Sequence, residues 1–411
     1  MLNLFKTKKP EIVSGNEALA EVDFNYLVEN QYYFDSACQT MRPEQVIKSE
    51  SQYYHEYNAC GGRVKYKWGQ TVDEKVEDTR LKLLKLVGKS AKDYAVVFTL
   101  NTTYGINLVL QQLPAKDYKQ IVTSEIEHNS VFLPSMTWAQ KNGKSREVLK
   151  RNDDGSVDFQ GVNLAQSIVV VNTVSNIDGR KLVNLAELEK EVHRQNGILL
   201  LDAAQNFSHD LSNLEKVDFD AVFGSGHKMY GPSIGFIIIK KNLIKSLEHF
   251  WLGGGTVNDV EKDSYKLIEQ DFELHSTLEL GLQNWSGIIG LGEAIDWLKS
   301  YKPNGQNRKV YEEALAQQLF DGLKALPQVH LLNSIPSSIV SFYVDNLDAH
   351  RLALYLSEQN IMCRSGYFCC HYYLKNLKKY PPLLRVSLGL NNTPEQVKFF
   401  IETLSQILKA I

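Results

Sequence analysis

Between about residues 70 and 240 the chain alternates amphipathic stretches with short runs that are apolar throughout. Thr71-Val-Asp-Glu74 has the spacing of a capping box. Val76, Leu83, Leu84 and Val87 follow at helical intervals, and Gly88 supplies a stop. The pattern then predicts a strand over Tyr94–Leu100, a helix over Thr103–Leu110 and a strand over Gln120–Ser124. A strand at Ser167–Val174, a helix at Leu185–Gln195 and a strand at Gly197–Ala203 continue the alternation, which Phe219–Ser225 and Gly235–Lys240 complete. Strands apolar on both faces, separated by helices with one apolar face, indicate a mostly parallel sheet covered on both sides.

The texture changes after Lys240. An irregular stretch over 253–280 leads into a helix over Asn284–Tyr301, and Lys302-Pro-Asn-Gly305 reads as a boundary. A helix at Arg308–Leu326, strands at 329–333 and 338–345, a helix at His350–Gln359 and strands near 361–364 and 383–388 follow. The last helix opens with Thr393-Pro-Glu-Gln396, an N-cap with proline at the first helical position. The expected organisation is α/β, with a large domain over 25–300 and a smaller one from 1–24 and 301–411.

At 411 residues the chain can bury a large core without staples. Lys plus Arg number 45 against 48 Asp plus Glu, and the densest basic cluster is the short Lys6-Thr7-Lys8-Lys9, which argues against a nucleic-acid or membrane-surface footprint. The apolar runs are strand-sized, and the first residues lack a secretory core, so a cytoplasmic protein is expected. Five cysteines without a CxxC pair describe neither a disulfide framework nor a zinc site, so no metal is expected.

In an open parallel sheet, ligands bind beyond the carboxyl ends of the strands. The strand at 94–100 delivers Asn101-Thr-Thr-Tyr-Gly105 to a helix start, where free amides and small hydroxyls can hold phosphate. Alone, that is an ordinary cap. The strand at 167–174 delivers Asn176; the all-apolar ILLLD strand delivers Asp202, and Gln205 follows. The strand at 219–225 delivers Ser225-Gly-His-Lys228, which lacks P-loop spacing. A lone lysine there is normally solvated. A carboxylate, a lysine and a phosphate-ready helix start at neighbouring strand ends are together what pyridoxal phosphate needs. His128, just after the strand at 120–124, could stack on its ring.

These residues carry a resemblance to a known family. Tyr33-Phe-Asp-Ser-Ala37, Asn101-Thr-Thr-Tyr-Gly-Ile-Asn107, Glu127-His128, Val174-Ser-Asn176, Leu201-Asp-Ala-Ala-Gln205, Gly226-His-Lys-Met-Tyr-Gly-Pro232 and Leu384-Arg-Val-Ser-Leu-Gly389 resemble fold-type-I pyridoxal-phosphate enzymes of the class V aminotransferase group. The likeness is nearest to cysteine desulfurases. It implies a large domain with a mainly parallel seven-stranded sheet covered by helices, plus a smaller C-terminal α/β domain. It also implies that Lys228 is the Schiff-base lysine and proton shuttle, Asp202 the partner of the pyridine nitrogen, Gln205 that of the ring oxygen, and His128 the stacking residue. Thr102, Thr103, Ser225 and His227 would hold the phosphate, and Asn176, Arg385 and Arg364 would bind the substrate.

Arg364-Ser-Gly-Tyr-Phe-Cys-Cys370 resembles the loop whose cysteine accepts sulfur, which places Cys369 as the nucleophile. In an extended segment Cys370 would point the other way and pack into the small domain; metal binding by Cys369, Cys370 and His371 is a third reading. The resemblance implies a homodimer, L-cysteine or a related amino acid as substrate, and a protein as sulfur acceptor. The alternative is another class V reaction, such as that of a transaminase, an epimerase, or a C–S or selenocysteine lyase. Two family features are missing: glycines replace a histidine near Ala59-Cys-Gly-Gly-Arg63, and Leu282 stands where relatives carry a phosphate-binding threonine.

Overall fold

Seven strands make one sheet: β1 (Tyr94–Thr99), β2 (Gln120–Ser124), β3 (Ser145–Leu149), β4 (Ser167–Asn172), β5 (Ile198–Asp202), β6 (Ala221–Ser225) and β7 (Gly235–Lys240). Their spatial order is β1-β7-β6-β5-β4-β2-β3, and β7 alone runs antiparallel to its neighbours. The computed structural model describes residues 23–24, 26–27, 30–62, 64–209 and 211–410. The basic cluster at Lys6–Lys9, Arg63 and most of the expected 1–24 segment lie outside them.

The period of two along each strand explains the unbroken apolar runs. In β4, Val169 and Val171 enter the core on one face, while Ile168 and Val170 enter the core on the other. Both faces are therefore dry, and alternation cannot appear in the sequence. The edge strand β3 pairs only with β2 and has exposed residues at alternate positions, which is why a search for apolar runs does not find it.

A second sheet is antiparallel: Val329–Leu331, Ile339–Val344, Leu383–Ser387 and Arg364–Gly366, in that spatial order. Helices at Arg308–Lys324, Ala349–Ser357 and Pro394–Ala410 pack on it through Leu319, Leu352 and Phe400. The structure redraws the expected boundary at residue 25. Tyr32–Tyr33 pair in parallel with Ile361–Met362, Asp35 bridges to Ser387, and Phe34 is buried in the small core. Phe24, expected in the small domain, packs instead against Tyr230 and Trp297 of the large core. The chain thus crosses between the two units within residues 30–40, beside the carboxyl ends of the large sheet.

Other expectations also shift. The helix expected to start at Thr71 begins at Lys67, because Gly69 and Val72 are already buried in its first turns; the Thr71 hydroxyl donates back to the Lys67 carbonyl, 3.2 Å away. The stretch read as irregular holds a short hairpin, Val257–Val260 with Tyr265–Leu267. Two long helices not anticipated, Glu44–Glu56 and Asn129–Asn142, join the large layer, with shorter ones at Ser212–Glu215 and Lys241–Ser246; Asn129–Asn142 contains Pro134. Among the described residues no helix is long and apolar enough to cross a membrane.

One buried ion pair ties β1 to the segment after the hairpin. Arg80 makes two parallel hydrogen bonds of 2.8 and 2.7 Å to Glu279, whose Oε1 also accepts the Phe98 amide at 2.6 Å. Removing one partner strands the other charge in the core, which costs about 3–5 kcal/mol. Glu279→Ala should lower the urea-unfolding stability by that amount, and a loss below about 1 kcal/mol would contradict the assignment. Replacing both partners by apolar residues should recover most of it.

Candidate active site

All twelve residues expected to carry chemistry line one cavity of about 220 Å³ at the carboxyl ends of the large sheet. At its floor, β1 ends at Thr99 and the helix Thr102–Gln112 begins almost at once, with the Asn101 side chain accepting the Tyr104 amide at 2.8 Å. That cap leaves the Thr102 and Thr103 amides without intrahelical acceptors. The Thr102 hydroxyl is committed to the Gly224 carbonyl at 2.8 Å, so its amide alone remains for a ligand. The Thr103 hydroxyl meets that of Ser130 at 2.6 Å, and the Ser225 hydroxyl meets His227 Nδ1 at 2.9 Å.

The lysine is placed by the connection between the antiparallel strands β6 and β7. Gly226–Lys228 form a single tight helical turn, pinned by the Gly226 amide on the Ile234 carbonyl at 2.8 Å. A Cβ on Gly226 would lie 2.6 Å from the Pro232 carbonyl oxygen, and one on Gly235 would lie 2.3 Å from the Asn101 backbone. Both glycines are therefore demanded by close approach around the phosphate-ready helix start.

Burial pushes the Lys228 amine down, opposed chiefly by the charge of Asp202. Asp202, at the end of β5, is pushed up by burial, while the Ala204 amide at 3.0 Å and the Lys228 charge pull the other way. A carboxylate this enclosed needs a cation against it. Gln205 uses one amide hydrogen on the Ala37 carbonyl at 2.7 Å.

His128 caps the helix Asn129–Asn142, its Nδ1 accepting from the Ser130 amide at 3.1 Å. The Ser130 hydroxyl lies 2.8 Å from the same nitrogen. This network assigns the ring proton to Nε2. Burial first, then the positive Lys228, Arg385 and Arg364, pull His128 down to about 3. His227 is pulled to about 4, again by burial first.

Both histidines are thus neutral in the folded protein. Their folded values lie below the ordinary 6.5, so their contribution to stability is intact above pH 6.5. It is lost as pH falls toward the folded values, because only the unfolded chain takes up the protons. The expected loss between pH 6.5 and 4 is on the order of a few kcal/mol, and His128→Asn, which preserves the cap, should flatten that slope in urea titrations. An unchanged slope in the variant would show that His128 is not held neutral.

The opposite wall comes from the small unit. Arg385, on the strand Leu383–Ser387, donates to Asp35 Oδ1 and to the Asn176 carbonyl, each at 3.0 Å, and lies 4.8 Å over the Phe368 ring. Its Nε is buried with no protein partner. Asn176 lines the cavity and donates one Nδ2 hydrogen to the Phe368 carbonyl at 2.8 Å, which leaves the other hydrogen of that amide. The Cys369 carbonyl accepts the Asn129 amide at 2.6 Å.

These clamps hold two consecutive left-handed residues, Phe368 at φ +46° and Cys369 at φ +57°. Side chains resist that region, and such strain persists only where surroundings enforce it. The expected extended segment is therefore a tight turn. It separates the adjacent thiols: Cys369 is exposed at the cavity, whereas Cys370 is buried among Ile126, Ile177 and Tyr373, between the units. Burial pushes the Cys370 thiol well up. With the two sulfurs facing different environments, the three-ligand metal reading loses its geometry.

Sequence reasoning missed Cys38, which also lines the cavity, and Asp35, which holds Arg385 at its wall. They directly adjoin or belong to the Phe-Asp-Ser-Ala segment that carried the resemblance, and that adjacency was the available signal. At the glycine departure, the Gly62 amide donates to Asp73 Oδ1 at 2.5 Å. Leu282 is 77% exposed.

A family model described as Aminotransferase class-V matches residues 32–400. A probable cysteine desulfurase from Pyrococcus abyssi is 32% identical over 396 residues, covering 94% of this chain and 96% of the relative. A cysteine desulfurase from an Escherichia coli strain is 28% identical over 389 residues, covering 91% and 93%. Among solved structures, the apo cysteine desulfurase of Thermococcus onnurineus superposes with a TM-score of 0.86 at 29% identity, over 95% of this chain and 98% of that one. An Escherichia coli cysteine desulfurase in its S-sulfonic acid form gives 0.83 at 25% identity, over 97% and 100%.

Proposed function

The chain belongs to the class V aminotransferase family, and from that premise we propose that it is a pyridoxal-phosphate-dependent cysteine desulfurase. It removes sulfur from L-cysteine, leaving L-alanine and a persulfide on Cys369. The observation that carries this reading is the strained turn that presents Cys369, exposed, to the cavity containing Lys228 and Asp202.

The residues present fit the cofactor. Asp202 is a buried carboxylate lacking a full cationic partner and suits a protonated pyridine nitrogen. The Thr102 and Thr103 amides, with the Thr103 and Ser225 hydroxyls and His227, suit a phosphate. Neutral His128 suits a ring face, and the second amide hydrogen of Gln205 suits the ring oxygen. Bound there, pyridoxal phosphate supplies the electron sink that labilises bonds at the substrate's α and β carbons.

This chain's own groups do the rest. The Arg385 Nε and the exposed Arg364 take the substrate carboxylate; Asn176 holds the turn that carries Cys369. Lys228, whose amine burial pushes down, moves protons at the substrate's carbons. The Cys369 thiolate attacks the substrate sulfur; the carbon–sulfur electron pair stays with the carbon, and a proton replaces the sulfur there.

We further propose a cytoplasmic homodimer that passes sulfur to an acceptor protein. Exposed Phe250, Trp251 and Leu282 support a packed second copy, and five free thiols suit a reducing compartment. Cofactor-loaded wild-type protein given L-cysteine, without an added thiol, should release alanine matched by sulfur retained on the protein. The same preparation should scatter light as a dimer. Turnover of another amino acid with no alanine from cysteine would favour the alternative class V reaction.

A further inference from the structure

The cavity contains a second thiol. Cys38 is half-buried, lines the same wall as Cys369, and is in hydrogen-bond contact with the Arg364 guanidinium through its sulfur. The desulfurase reading assigns it no task.

Its placement is held on several sides. The Cys38 amide bonds the Asp35 carbonyl at 2.9 Å, and the preceding residue is fixed by the Ala37 amide on Ser387 Oγ at 2.9 Å. The Ala37 carbonyl is held in turn by Gln205 at 2.7 Å. Arg385 links the two thiol-bearing segments directly, reaching Asp35 with one nitrogen while its guanidinium covers the ring of Phe368, the neighbour of Cys369. Both cysteines line the cavity that also holds Lys228. A cysteine kept only as a small apolar filler would not be set against a guanidinium inside a reaction cavity.

We propose that Cys38 is a second sulfur carrier, taking the outer sulfur from the Cys369 persulfide within the same active site. The proposal rests on the desulfurase reading. In the step, the Cys38 thiolate attacks the outer sulfur of Cys369–S–SH. A new sulfur–sulfur bond forms at Cys38, the old one breaks, and Cys369 leaves as a thiolate. No electrons are gained or lost overall, and no further reagent is needed. Exchange between two alkyl thiols is close to balanced, so the sulfur distributes between the two positions, and the Arg364 guanidinium is placed to donate to the Cys38 sulfur on either side of the exchange. The transfer would free Cys369 for a second turnover before an acceptor arrives.

The test follows the sulfur. Reduced holoenzyme is given L-cysteine for a few turnovers, quenched at intervals in denaturing iodoacetamide, and its cysteine peptides are read by mass spectrometry. Alanine is measured in parallel. The expected result is a persulfide adduct first on Cys369 and then on Cys38. The Cys38 adduct should be lost in Cys369→Ser, whereas the Cys369 adduct should persist in Cys38→Ser. Sulfur confined to Cys369 at every time in the wild type would overturn the relay and leave the desulfurase reading standing. A Cys38 adduct in Cys369→Ser would also overturn it, by making Cys38 a direct nucleophile. Absence of both alanine and persulfide would remove the desulfurase reading and the relay with it.

Discussion

Lys228→Ala should lower L-cysteine turnover by about four orders of magnitude, the scale set by losing both an acid–base group and a covalent anchor. The lysine has no substitute within the site: the other buried cation of the cavity, Arg385, is committed to Asp35 and to the Asn176 carbonyl. His128 and His227, held neutral by burial, are poor proton donors in the working range. Turnover should be accompanied by a second readout. Borohydride should fix the cofactor to the peptide containing residue 228 in the wild type and to no peptide in the variant. Folding should survive, because Asp202, already pushed up by burial, can take a proton when its cation is removed. A folded Lys228→Ala protein within tenfold of wild-type turnover would refute the assignment.

Cys369→Ala should reduce alanine formation by about 10³-fold or more while leaving cofactor uptake intact. The alanine side chain keeps the left-handed turn and its clamps from Asn129 and Asn176, so the change removes a sulfur atom and little else. Cys370→Ala makes the useful contrast. Its thiol is buried in an apolar cluster and pushed well up, so its loss should appear as a lower unfolding midpoint and not as lost alanine. If alanine survives in Cys369→Ala, the nucleophile is elsewhere, and Cys38 is the other thiol lining the cavity.

The two results bear differently on the architecture. The Lys228 result probes the large sheet alone, since that residue sits between β6 and β7. The Cys369 result depends on both units, because its turn belongs to the small one and its clamps come from Asn129 and Asn176 of the large one.

Much of this was legible along the chain. Unbroken apolar runs such as ILLLD mark strands buried on both faces, and those that run parallel place their last polar residues at the same edge of the sheet. Asp202, Lys228 and the Thr102–Thr103 helix start could therefore be gathered into one site before any coordinates. Local rules carry that far because strand direction and helix start are short-range properties. They did not reveal that Thr102 uses its hydroxyl on Gly224, that Asn176 clamps the sulfur-bearing turn, or that Phe368 and Cys369 take left-handed backbone. Nor did they bring Cys38 into the cavity of Cys369, more than three hundred residues away in the chain. Those facts depend on contacts between segments remote in sequence. There, the balance of burial, strain and hydrogen bonding is set by what the fold brings alongside, and no local pattern records it.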